Sequence, residues 1–123
     1  MKKLFLVGLM LLTGSAWAEW VRYAESEEVT FYYDPDTIHK EGNLRRVWEL
    51  QDLRKREKDG NISVRARLEY DCKNERSRHL GLSTHSEPMA GGTVLSTDGE
   101  DNNWLAIPPS TPFGTILNIV CTK

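Results

Sequence analysis

Residues 62–72 read Ile62-Ser63-Val64-Arg65-Ala66-Arg67-Leu68-Glu69-Tyr70-Asp71-Cys72. Ile62, Val64, Ala66, Leu68, Tyr70 and Cys72 share one face of an extended chain, and Ser63, Arg65, Arg67, Glu69 and Asp71 share the other. A period of two is the signature of a strand, and apolar-in, polar-out alternation over this length predicts a long, half-buried antiparallel strand. Cys72 sits on the apolar face, so a disulfide partner must lie over the buried side of the sheet.

Outward from this strand the chain reads as β-rich. Asp59-Gly60-Asn61 is a turn before it. Residues 44–53 (LRRVWELQDL), framed by turn signals, predict a preceding strand. Residues 29–33 (VTFYY) are dense in β-branched and aromatic residues and stop at Asp34-Pro35-Asp36. Residues 20–24 (WVRYA) predict a first strand, residues 76–85 a weaker one containing Gly81, and Val94-Leu95 a short one. Met89-Ala90-Gly91-Gly92 reads as a turn or bulge, and residues 104–107 as a short apolar segment before Pro108-Pro109. Pro112 then suits a first helical position after Ser110 or Thr111. Phe113, Ile116, Leu117, Val120 and Cys121 follow helical spacing, although Gly114 weighs against a helix. The expected fold is β-rich α+β: a curved antiparallel sheet with a C-terminal helix on its inner face.

The chain has 123 residues, 39% hydrophobic and 28% charged, with net charge −2. That composition predicts one folded domain and argues against a disordered chain or a dedicated nucleic-acid binder. Lys2-Lys3, the apolar run of residues 4–12 and Ala16-Trp17-Ala18 have the order of a secretory signal peptide, predicting residues 1–18 as a leader cleaved between Ala18 and Glu19. The single domain is then 19–123. Residues 13–19 (TGSAWAE) contain no cysteine to carry a lipid, so the expected location is periplasmic or secreted, with the cell surface as the further possibility. No stretch of the mature chain is apolar enough for membrane insertion. Export places Cys72 and Cys121 in an oxidising compartment. There is no C-x-x-C redox pattern and no four-ligand zinc spacing, so a structural disulfide between them is expected.

Catalytic candidates are thin. Ser83 in Gly81-Leu82-Ser83-Thr84-His85 lacks the second glycine and following helix of a nucleophile elbow. His39, His79 and His85 have no metal-binding spacing, and residues 97–103 (TDGEDNN) do not match a calcium loop. No metal, cofactor or enzymatic activity is expected. The basic residues are more suggestive. Arg45, Arg65 and Arg67 fall in adjacent strands and are expected to form a partner-binding patch on the outer face, interleaved with Glu49, Glu57, Glu69 and Glu75.

Tyr32-Tyr33-Asp34-Pro35-Asp36-Thr37-Ile38, Gly42, Val47-Trp48-Glu49-Leu50, Glu69-Tyr70-Asp71-Cys72, Met89, Gly91, Trp104 and Val120-Cys121 together resemble the surface-adhesin protein E family of small exported bacterial domains. The resemblance spans essentially the whole mature chain. It implies a six-stranded antiparallel sheet with a helix tied to its concave face through Cys72–Cys121. It also implies a protein-binding module for host extracellular-matrix and serum proteins. The alternative is a soluble periplasmic domain that binds a small ligand or inhibits a partner on the concave face. The lipidated N-terminal cysteine that displays such adhesins is missing from this chain.

Overall fold

The computed structural model describes residues 19–122; the leader expected over residues 1–18 and its expected cleavage site after Ala18 fall outside them, and Glu19 is the first residue described. The strands are β1 (Val21–Glu25), β2 (Val29–Tyr33), β3 (His39–Glu41), β4 (Leu44–Leu53), β5 (Ser63–Asp71), β6 (Arg76–Glu87), β7 (Gly91–Asp98) and β8 (Leu105–Ala106). They form one antiparallel sheet in the order β1-β2-β4-β5-β6-β7, with β3 beside β4 and β8 beside β6. One helix, α1 (Pro112–Thr122), follows. The strand over residues 62–72, the one over 44–53 and the terminal helix are where the sequence places them. Two differences stand out. β3 is an exposed three-residue strand, His-Lys-Glu, with no apolar pattern to announce it. β7 runs for eight residues rather than two.

The register decides which side chains share a face. Leu44 pairs with Asp71 and Arg45 with Tyr70, and this continues to Asp52 with Ser63. Val47 and Glu49 of β4 therefore share the inner face with Ala66, Leu68 and Tyr70 of β5. On β2, Tyr33 pairs with Glu49 and Phe31 with Gln51, which puts both aromatics inside. The helix lies over this face. Tyr33, Val47, Tyr70, Ile107, Ile116, Leu117 and Val120 form the core, and Tyr23 and Ile38 pack against it. Each fully buried aliphatic side chain contributes about 1.5–3 kcal/mol to that packing.

Two devices fix the C-terminal end of α1. Cys72 and Cys121 are bonded, with their Cα atoms 5.8 Å apart. Arg45, only 6% exposed, donates from Nε to the Val120 carbonyl at 3.2 Å. Its Nη1 donates to the Gly42 and Leu44 carbonyls at 2.8 and 2.9 Å. A guanidinium at a helix C-terminus satisfies an orphan carbonyl and opposes the helix dipole. Arg45 is thus a structural residue on the inner face, not part of an outer patch.

At the other end, Thr111 stands before the helix, but its hydroxyl donates to the Pro108 carbonyl at 2.7 Å instead of capping. Gly114 explains itself here. A Cβ at that position would lie 2.4 Å from the Pro109 carbonyl oxygen. The glycine that weighs against a helix is what allows this helix to approach the Pro108-Pro109 segment. Gly114→Ala raises helix propensity, yet it should lower stability by about 1–3 kcal/mol through overpacking. Urea denaturation checks this; a more stable variant would mean that the proline segment moves aside freely.

Candidate functional site

The outer face is not a simple solvated surface. Glu69 is 0% exposed. It accepts from Arg46 Nε and Arg78 Nε, both at 2.8 Å. Burial alone pushes the Glu69 carboxyl up, but the hydrogen bonds and charges of Arg46 and Arg78 outweigh it and hold the group below its ordinary range. Asp71 accepts from the backbone of Lys73 and Asn74, from the Asn74 amide and from Arg76 Nε. The Asn74 bond, with Arg76 behind it, keeps this carboxyl low despite its burial. Arg76 and Arg78 also flank the Trp104 ring, at 4.7 and 4.8 Å from its centroid. Three of the arginines on this side are therefore already neutralised.

Arg65 and Arg67 are not. The Arg65 guanidinium lies 4.1 Å from the centroid of the Trp48 ring, and Arg67 pairs across the ladder with Trp48 itself. Among the described residues neither forms an ion pair with a carboxylate. Of the three arginines expected to cluster, the structure brings Arg65 and Arg67 together around Trp48 and sends Arg45 to the opposite face. Trp48 is the member that sequence reasoning missed.

The inner face holds a second feature. A groove of about 570 Å³ opens beside the helix, lined by Val64, Ala66, Leu68, Leu82, Leu105 and Phe113 among others, with Glu49 among its lining residues. Glu49 is a buried carboxylate, not the interleaved surface charge its sequence context suggested. Its Oε1 accepts from the Tyr23 hydroxyl at 2.9 Å, and its Oε2 accepts a short hydrogen bond from the Tyr70 hydroxyl. Burial pushes the Glu49 carboxyl up to about 7, against the pull of the two tyrosine hydrogen bonds. Burial, together with the neighbouring Glu49, raises both tyrosine hydroxyls above their usual range.

Ser83 Oγ and His85 Nε2 are 2.8 Å apart. His85 Nδ1 is buried without a hydrogen-bond partner, so no carboxylate orients the ring as a catalytic triad requires. Burial, then the Arg65 charge, lowers the His85 pKa and favours a neutral imidazole. Among the described residues no three histidines, cysteines or carboxylates gather as a metal site. No described helix is long and apolar enough to cross a membrane.

The family profile of surface-adhesin protein E matches residues 20–122. The chain belongs to the surface-adhesin protein E family. Solved structures of Haemophilus influenzae protein E share its fold. Crystal form II superimposes with a TM-score of 0.69 at 16% identity, covering 88% of this chain and 91% of that one. The selenomethionine form gives 0.70 at 14% identity, covering 89% and 90%. Protein E from non-typeable Haemophilus influenzae gives 0.60 at 16% identity, covering 89% and 79%. No curated protein matches the chain. Membership of the surface-adhesin protein E family makes this a surface-adhesin-like domain with protein partners, and it agrees with the sheet, the C-terminal helix and the Cys72–Cys121 bond seen here.

Proposed function

We propose that this domain is a non-enzymatic, exported protein-binding module whose outer face receives an acidic surface of a host extracellular-matrix protein. On this reading residues 1–18 are removed between Ala18 and Glu19, and residues 19–123 are the working domain. The observation that supports it is the Trp48–Arg65–Arg67 cluster. On a face where Arg46, Arg76 and Arg78 are committed to buried carboxylates, Arg65 and Arg67 keep their charge for a partner. Trp and Arg are the residue types that dominate protein interfaces, and uncompensated charge accelerates encounter with an oppositely charged surface.

The test is binding to immobilised extracellular-matrix and serum proteins, in low and high salt. Affinity should fall with salt, and Arg65→Glu with Arg67→Glu should weaken binding at least tenfold with no loss of folding, since neither residue supports an ion pair. Unchanged affinity in the double variant would remove the outer face from the reading.

The groove favours a second reading, a soluble periplasmic domain holding a small ligand. Its volume lies in the range of ligand pockets, and its wall is largely apolar with a few polar groups converging.

A further inference from the structure

We propose that β7 is a strand-addition edge that takes an extended, β-branched segment with basic flanks from a protein partner. It stands apart from the arginine surface, which attracts acidic groups. β7 ends the sheet beyond β6 and is paired on that side alone, while β8 meets β6 further along, at Arg76 and Ser77. Every residue from Gly92 to Asp98 is exposed, with Val94 at 52% and Leu95 at 43%. Residues 91–97 (GGTVLST) contain no charge and no proline. An edge without such residues presents open backbone groups ready to pair with another strand.

The opposite edge shows the usual protection. Register shifts occur at both edges, between Arg22 and Ala24 on β1 and twice along the β6–β7 pairing, so what separates the two edges is charge. Arg22 pairs with Glu25 at 3.1 Å, and Arg54 also pairs with Glu25. β7 lacks this charged guard, and it is held firmly in place. Ser86 Oγ accepts from the Thr93 amide at 2.8 Å, and the Thr84 and Ser96 hydroxyls bond at 2.7 Å.

The turn that launches it is anchored to the outer face. Met89 N donates to Asp52 Oδ1 and Ala90 N to Ser63 Oγ, both at 2.9 Å. Met89 and Ala90 have φ of 56° and 61°. Two adjacent non-glycine residues in the left-handed region persist only where surrounding contacts hold them. A template fixed in advance costs less ordering on binding.

Charge selects the occupant. Glu87 and Asp98 bracket the strand and form no ion pair among the described residues, and Asp101 lies just beyond. Glu100 already faces Arg78 at 3.6 Å. A segment with lysine or arginine at its ends and threonine or valine between them matches this edge.

The probe is a blocked peptide of alternating threonine and valine flanked by two lysines, titrated into the ¹⁵N-labelled protein. Amide shifts and new hydrogen-exchange protection should concentrate on Gly92–Asp98. A glutamate-flanked version should bind at least fivefold more weakly. Val94→Lys with Leu95→Lys, both at exposed positions, should weaken binding at least tenfold while the remaining amide spectrum stays native. Shifts confined to the groove or β1, no shifts at millimolar peptide, or full affinity in the lysine variant would each overturn the proposal. Self-association of the free protein through β7 would overturn it too, by giving the edge to a second copy.

Discussion

Glu49→Gln should make this protein more stable at pH 8 and leave it nearly unchanged near pH 4, with the difference growing to about 3 kcal/mol. The native carboxyl holds its proton up to about pH 7, whereas an unperturbed glutamate loses it near 4.5. Between those values the folded state binds more protons than the unfolded one. Stability from this site is therefore complete below the unfolded value and is lost as pH rises through the folded one. The cause is the burial of a charge between Tyr23 and Tyr70, whose hydroxyls offset only part of the lost hydration. Other groups add their own pH dependence, His85 below its ordinary value of 6.5 and Glu69 and Asp71 below 4.5 and 3.8. Lowered His85 contributes stability that is lost on acidification, and so do Glu69 and Asp71. Urea unfolding of wild type and variant at matched pH removes those shared contributions. A wild-type-minus-variant difference that stays constant from pH 4 to pH 8 would show that folding does not raise the Glu49 pKa.

Cys72→Ser should cost roughly 4 kcal/mol, the chain-entropy value for closing a loop of this size. The cysteines are 49 residues apart and join the end of the central strand to the last turn of the helix. Small domains have total stabilities of about 5–15 kcal/mol, so the variant should unfold at much lower urea concentration. The chemical counterpart is thiol titration of the unfolded, unreduced protein, which should find no free sulfhydryl. Two free thiols, or a variant as stable as wild type, would contradict the assignment.

Much of the architecture was legible because β5 follows a rule. Its apolar residues occupy one parity, which sets strand, faces and the side on which Cys121 must arrive. β4 follows no such rule. Its inner parity carries Arg45 and Glu49 beside Val47, while its outer parity carries Trp48 and Leu50. Both faces of β4 are covered, so hydrophobicity could not say which way Arg45 points, and only the register with Tyr70 does. β7 was underestimated for the opposite reason. Its residues beyond Gly91 are exposed on both parities, so burial left no pattern in residues 91–98. The acidic partners of the outer arginines were also invisible. Glu69 and Asp71 alternate with apolar residues as solvated charges would, and only the cross-strand neighbours Arg46 and Arg78 turn Glu69 into a buried hub.

The helix that closes the core also sets the order in which the protein can acquire its shape. The hairpins β4–β5 and β5–β6 join neighbours in sequence and can zip from their turns. Val47 and Tyr70 must wait for Ile116 and Val120, tens of residues further along the chain. Loop-closure entropy puts such distant contacts late. Until then the sheet is a trough with its greasy side uncovered, the form in which unfinished β proteins stick to one another. Once Cys72 and Cys121 are oxidised, the bond keeps the helix from departing. The bond therefore holds the cover over the apolar face and shortens the time for which that face is open.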